Sequence, residues 1–304
     1  MSTTYDHVAL EAFMPHRGVN MLPDTLEMDD SGTRAVSRTT IAVDDPRGRR
    51  LFARADGHGG QVWIEPFLGE LMALTGIPLL KARLDAAGQV AVFSSMNKIT
   101  FPATARMEAA FVGEAVITRE RGPFTQFTAC LRCGDDILYQ GEIMSGMAAM
   151  ADVAGQPVQA LPQDVEEQPL QADFSGKAAG MRFIDAVRNC DTATGHLVGV
   201  YRYPADHPLV PGHFPEAALM MGMAQWTAVI DAAWEAKARC GLTGPIAVDG
   251  RIVRPDGSLV LDLRGMDLDD ADGVPRVLGT KRLAFRDPIR PGDGILIEVD
   301  VRPC

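Results

Sequence analysis

Two stretches of this chain are apolar on nearly every side. Residues 65–83 carry Phe67, Leu68, Leu71, Met72, Leu74, Ile77 and Leu80, and residues 217–240 begin with Met220, Met221 and Met223 in a long apolar run. A helix with no solvent face is buried, so each stretch predicts a central core helix. Period-two alternation around the first predicts strands near 34–43, 89–100, 106–120, 123–133 and 136–147. Around the second, residues 195–203 read as a strand, and 246–265 as a hairpin turning at Pro255-Asp256-Gly257. The same order of turn, buried helix and strands thus occurs twice. Residues 151–172, rich in proline and glutamine and lacking aromatics, read as a linker between halves 1–150 and 173–304. The expectation is an α+β chain with two long central helices, each wrapped by an antiparallel sheet.

Composition narrows the function classes. The 304 residues suffice for two domains, and 46% apolar with 23% charged residues is globular usage. The apolar runs are too short to span a membrane, and no leader pattern opens the chain. The net charge of −11, without a Lys/Arg-rich cluster of the nucleic-acid-binding kind, argues against a nucleic-acid partner. Five cysteines, an odd number, argue for a reducing, cytoplasmic setting. Cys130 and Cys133 form a lone C-x-x-C on a predicted strand, where positions three apart face opposite ways. Without further ligands they read as incidental thiols, and no metal is expected.

The chemistry-bearing residues concentrate in two places. Residues 211–225 read Pro-Gly-His-Phe-Pro-Glu-Ala-Ala-Leu-Met-Met-Gly-Met-Ala-Gln. His213, pinned between Gly212 and Phe214-Pro215 at the mouth of a buried helix, is a candidate general base, since histidine titrates near neutrality. The competing reading is a turn histidine satisfied by backbone groups. Glu70 sits in the other apolar helix, where a carboxyl is costly to bury unless protonated or paired. A raised pKa there suits a general acid. His58, in Asp56-Gly57-His58-Gly59-Gly60, reads as idle, His16 as structural, and His207 as a reserve candidate. Met220, Met221 and Met223 read as core more readily than as an acyl tunnel. Lys281, Arg282, Arg286 and Arg290 are the densest basic cluster, either a carrier-docking patch or a charged strand edge.

The stretch at 208–225 resembles the Gly-His-Phe-Pro turn and Met-Ala-Gln helix of the 3-hydroxyacyl-[acyl-carrier-protein] dehydratases, which have the hotdog fold. Residues 281–293 resemble that family's turn between two sheet strands, and 15–22 its Pro-His-Arg turn. Where the family has its catalytic glutamate this chain has Met221, whereas Glu70-Leu71-Met72-Ala73 in the other half resembles the glutamate segment. The resemblance implies a fused double hotdog with one composite site, His213 from one half and Glu70 from the other. The reciprocal pair, His58 and Met221, would lack its acid. Separate pairs of histidine-bearing and acid-bearing subunits are known among dehydratases of aryl polyene-type pathways.

Dehydration of a 3-hydroxyacyl thioester to the trans-2-enoyl thioester, in fatty-acid or polyketide-type biosynthesis, is the implied reaction. No bound cofactor is expected, because the substrate arrives on phosphopantetheine of an acyl carrier protein or coenzyme A. Gly212, Phe214, Pro215 and Gln225 are expected at the substrate, with the amides of Ala217 and Ala218 on its carbonyl oxygen. A homodimer of double hotdogs is a further expectation. A second Pro-Gly that the family carries after its histidine is absent. That keeps thioesterase, isomerase, acyltransferase and non-catalytic acyl-binding readings open.

Overall fold

Residues 3–151, 157–162, 165–270 and 273–304 are described in the computed structural model. Fifteen strands follow in chain order: β1 (Thr3–Asp6), β2 (Thr25–Met28), β3 (Arg34–Thr39), β4 (Ala53–Ala55), β5 (Gln61–Trp63), β6 (Val90–Thr100), β7 (Phe111–Arg121), β8 (Phe124–Cys133), β9 (Asp136–Ala148), β10 (Ala186–Asp191), β11 (His196–Arg202), β12 (Ile246–Val253), β13 (Leu259–Asp269), β14 (Arg276–Phe285) and β15 (Gly294–Pro303). Thirteen of them form one sheet in the order β1-β2-β3-β7-β8-β9-β6-β14-β13-β12-β15-β11-β10, and β4 with β5 makes a separate ribbon. The architecture is α+β with a large antiparallel sheet, as a hotdog fold requires. β6 and β14 join the two halves into one sheet, with Met96 opposite Leu283 and Ile99 opposite Thr280.

The two halves do not share a strand order. Moving from β3 toward the seam, the first half runs β7-β8-β9-β6, so the strand that directly follows its helix borders the other half. From β11 toward the seam, the second half runs β15-β12-β13-β14, so the third strand after its helix takes that place. The cyclic order is the same and the break falls elsewhere. The segment at 246–265 is therefore part of the central sheet, supplying β12 and the start of β13. The turn between them closes through Arg254 N–H to Ser258 O and Gly257 N–H to Arg254 O, both 2.9 Å.

The helices differ from the expected pair. The first runs over Pro66–Gly76, passes through a 3-10 turn at Ile77–Leu80 and resumes over Lys81–Ala87. Pro78 explains the break, since it has no N–H to continue the ladder. The second spans Gly222–Arg239 and starts five positions later than residue 217. Residues 213–221 are held out of it by contacts of their own: Ala217 N–H donates to Phe214 O, and Met220 N–H to Ile289 O. Gly69 brings the helices together, because a Cβ there would lie 3.3 Å from Met223 Sδ and 3.1 Å from Met96 Cε. Met221 and Met223 are fully buried core residues.

The described residues of 151–172 are packed against the second half. Gln159 N–H donates to Asp293 Oδ1 at 2.7 Å, Gln168 pairs with Val187, and the amides of Gln171 and Ala172 donate to the Glu235 carboxylate. The parts of the expected linker at 152–156 and 163–164 lie outside the described residues.

Candidate active site

Two turns, one from each half, dock on one another. Arg17 N–H donates to Gly212 O at 3.0 Å, and Asn20 Nδ2 to Leu209 O at 2.9 Å. A Cβ on residue 212 would lie 2.1 Å from Arg17 O, so this approach admits only glycine. It brings His16 and His213 together, with ring centroids 5.1 Å apart. Phe214 stacks on His213 at 4.4 Å and meets His16 edge-on. His213 O accepts from Leu219 N–H at 2.7 Å, and His213 Nδ1 lies 3.1 Å from Leu219 O. A carbonyl only accepts, so in the neutral ring Nδ1 carries the proton and Nε2 keeps its lone pair. Burial lowers the His213 pKa to about 4, which leaves the ring neutral at neutral pH.

Glu70 completes the group. It is 0% exposed, and neither carboxyl oxygen has a hydrogen-bond partner among the described residues. Burial raises its pKa to about 8, so it is a neutral acid at pH 7. His16 Nε2 lies 3.9 Å from Glu70 Oε1, while its buried Nδ1 has no partner among the described residues. Burial, then the neighbouring His213 and Arg17, hold the His16 pKa well below the ordinary value. One ligand atom each from His16, Glu70 and His213 lies within 4.8 Å of the others. Among the described residues, these three are also the group that could hold a metal ion. Ligation at about 2 Å would require the atoms to draw closer.

An apolar cavity of about 330 Å³ opens onto both histidines. Ile77, Phe93, Phe127, Leu219, Met220 and Phe285 are among its walls; Ser145 and Gln225 add polar groups, and the exposed Arg286 also lines it. Glu70 is not part of the lining. The turn at 286–293 that supplies Asp287, Pro288 and the Ile289 carbonyl is braced by Arg254. That guanidinium bonds Asp287 at 2.7 Å and Asp293 at 3.2 Å.

The remaining expected site residues divide. Phe214 and Gln225 line the cavity. Gln225 Nε2 donates to Met220 O at 3.3 Å, not to Glu70. Pro215 is exposed and lies off the lining, as does Ala218. The Ala217 amide is spent on Phe214 O, so the amides expected to face a substrate carbonyl are not those of Ala217 and Ala218. The first bond along the second helix is Gln225 N–H to Met221 O. The amides without a ladder partner are therefore those of Gly222, Met223 and Ala224, and Gly222 lines the cavity. Lys281, Arg282 and Arg286 are exposed, but Arg290 is 7% exposed and drops out of any docking surface. His207 is structural, with Nε2 2.6 Å from Gly180 O and Nδ1 accepting from Leu209 N–H. His58 is exposed in a different cleft, which Met221 does not line. His16 is the residue that sequence reasoning set aside. Its only signal is the Pro15-His16-Arg17 turn, which says nothing of what the turn packs on.

No protein-family profile and no curated protein matches the chain. Among solved structures it is similar to the dehydratase heterocomplex ApeI:P from Xenorhabdus doucetiae, at 13% identity over 46% of this chain and 90% of that one, with a TM-score of 0.38. It is similar to a sigma28-regulated virulence protein from Campylobacter jejuni, at 12% identity over 47% and 90%, with a TM-score of 0.35. A point mutant of the fluoroacetyl-CoA-specific thioesterase FlK aligns at 14% identity over 30% and 66%, with a TM-score of 0.28. At these scores the likenesses carry no argument about this chain.

Proposed function

We propose that the chain is two hotdog units in one polypeptide, 1–150 supplying Glu70 and 173–304 supplying His213, and that it dehydrates a 3-hydroxyacyl thioester to the trans-2-enoyl thioester. One observation carries this reading: His213 from one half and the buried Glu70 carboxyl from the other offer atoms within 4.8 Å of each other and of His16, and both histidines line a single apolar cavity. His213 Nε2 takes the C2 proton, which the thioester acidifies. The C2 electron pair forms the double bond as the C3 hydroxyl leaves. Glu70 is the proton source for that hydroxyl. Because Glu70 is off the cavity wall and His16 is on it, the proton passes through the His16 ring: Nε2 takes it from Glu70 while Nδ1 releases one to the hydroxyl, which departs as water. The proton on His213 then returns to Glu70, and His16 reverts to its starting tautomer. The Gly222 amide at the start of the second helix takes up charge on the thioester oxygen.

The acyl chain fills the apolar cavity. The phosphopantetheine arm, from an acyl carrier protein or coenzyme A, leaves past Arg286, with Lys281 and Arg282 completing the carrier-facing patch. The test is turnover of a 3-hydroxyacyl pantetheine thioester, followed by enoyl absorbance. His213→Ala, Glu70→Gln and His16→Phe should each abolish it in folded protein, and chelator should leave the parent unaffected. Loss of turnover on chelation would move His16, Glu70 and His213 from acid–base to metal-ligand roles.

A further inference from the structure

On the side of the first half where the His58 turn precedes its helix lies a second cleft, of about 210 Å³. It is lined by Arg54, Asp56, His58, Thr104, Arg106 and Arg276, with Val62 of β5 as the apolar member. It draws on both halves, since Arg276 opens β14 while the others come from the β4–β5 ribbon and the segment before β7. Three arginines therefore line one small concavity of a protein whose net charge is −11.

Two acids stand nearby, and Asp56 also lines the cleft, where its charge interacts with that of Arg106. Asp56 Oδ1 accepts from the amides of His58 and Gly60, each at 2.8 Å. Glu65 pairs with Arg54 Nη2 at 2.5 Å, and Arg54 Nη1 donates to the Ala55 carbonyl at 3.0 Å. Arg54 is 7% exposed, and its Nε is buried without a hydrogen-bond partner among the described residues. Arg276 Nε is likewise buried and unpartnered, and neither Arg276 nor the exposed Arg106 makes an ion pair among the described residues. Buried guanidinium N–H groups without acceptors leave a cost that an anion would remove. The forked geometry of arginine suits tetrahedral oxyanions in particular, and the Thr104 hydroxyl adds a neutral donor.

We propose that this cleft binds a phosphate monoester dianion, held by Arg106 and Arg276 with Arg54 beneath. Its volume is below the about 300–1,000 Å³ usual for a whole drug-sized ligand, so it fits one phosphate head with the rest of the ligand in solvent. That head could be carried by free phosphate compounds or by a nucleotide handle. The site is separate from the His213 cavity, with which it shares no lining residue.

The test is titration of the full-length protein with inorganic phosphate, read by isothermal calorimetry and ³¹P line shape. Saturable binding is expected in the parent and, unchanged, in His213→Ala, which separates this site from the proposed dehydratase chemistry. Arg106→Ala should weaken binding by at least about tenfold, and Arg106→Ala with Arg276→Ala should abolish it. Should the double variant not fold, Arg106→Glu at an exposed position must abolish binding in its place. Tighter binding of adenosine 3′,5′-bisphosphate than of phosphate would assign the head to a nucleotide handle, and equal binding to free phosphate compounds. Absence of saturable phosphate binding, or equal binding by the charge-removed variants, overturns the proposal.

Discussion

Replacing Glu70 by Gln should make the protein more stable and less active, and the stability gain should depend on pH. In the folded chain the carboxyl titrates at about 8, against 4.5 for the ordinary group. Between those values the folded state holds a proton that the unfolded state has released, so stability falls as pH rises. The slope is about 1.4 kcal/mol per pH unit. The effect is absent below the unfolded pKa and complete once pH passes the folded one, reaching about 5 kcal/mol. Glutamine keeps the shape of the protonated acid and does not titrate. The Gln variant should therefore match the parent near about pH 4.5, exceed it by about 3 kcal/mol near about pH 7, and by about 5 kcal/mol above about pH 8. Urea unfolding of both proteins across this range measures the difference directly, and titrations common to both cancel. A difference that stays flat with pH, or a Gln variant that is less stable at neutral pH, would refute a buried, neutral Glu70. A gain in stability coupled to loss of turnover is the expected mark of a group retained for chemistry.

Three further outcomes follow from the same geometry. Turnover should hold a plateau between about pH 4, where His213 gains its proton, and about pH 8, where Glu70 loses its own, with both limbs visible in the pH–rate profile of protein shown to remain folded. Gly212→Ala should cost about 1–3 kcal/mol in urea unfolding, because its Cβ meets the Arg17 carbonyl. The displaced His213 turn should also lower turnover by about a hundredfold. His58→Ala should leave most turnover intact, since His58 lies in a different cleft from His213; equal loss on His58→Ala and His213→Ala would place the site in the wrong pairing of halves.

The chain's patterning showed its elements more readily than their arrangement. The strands from β6 to β9 lie within a few residues of the alternating segments, because a half-buried strand writes its period directly into the sequence. Met221, read as the counterpart of Glu70, precedes the second helix, whereas the place of Glu70 inside an apolar helix was also visible. Strand order in the second half was not. Placing β15 between β11 and β12 is a choice among long-range pairings that no local period encodes. The late start of the second helix came from the Met220 amide bonding a carbonyl almost seventy positions away, at Ile289. His16 failed for the same reason, since it is buried against His213, remote in sequence, and looks like an ordinary turn residue beforehand.

The most direct measurement is mass spectrometry of 3-hydroxyacyl pantetheine thioesters of several chain lengths incubated with the parent protein and with His213→Ala. The composite site of His213, His16 and Glu70 predicts a product lighter by one water, still a thioester, formed by the parent and not by the variant. Release of free acid and thiol by the parent, or no change at any chain length, would contradict the assignment.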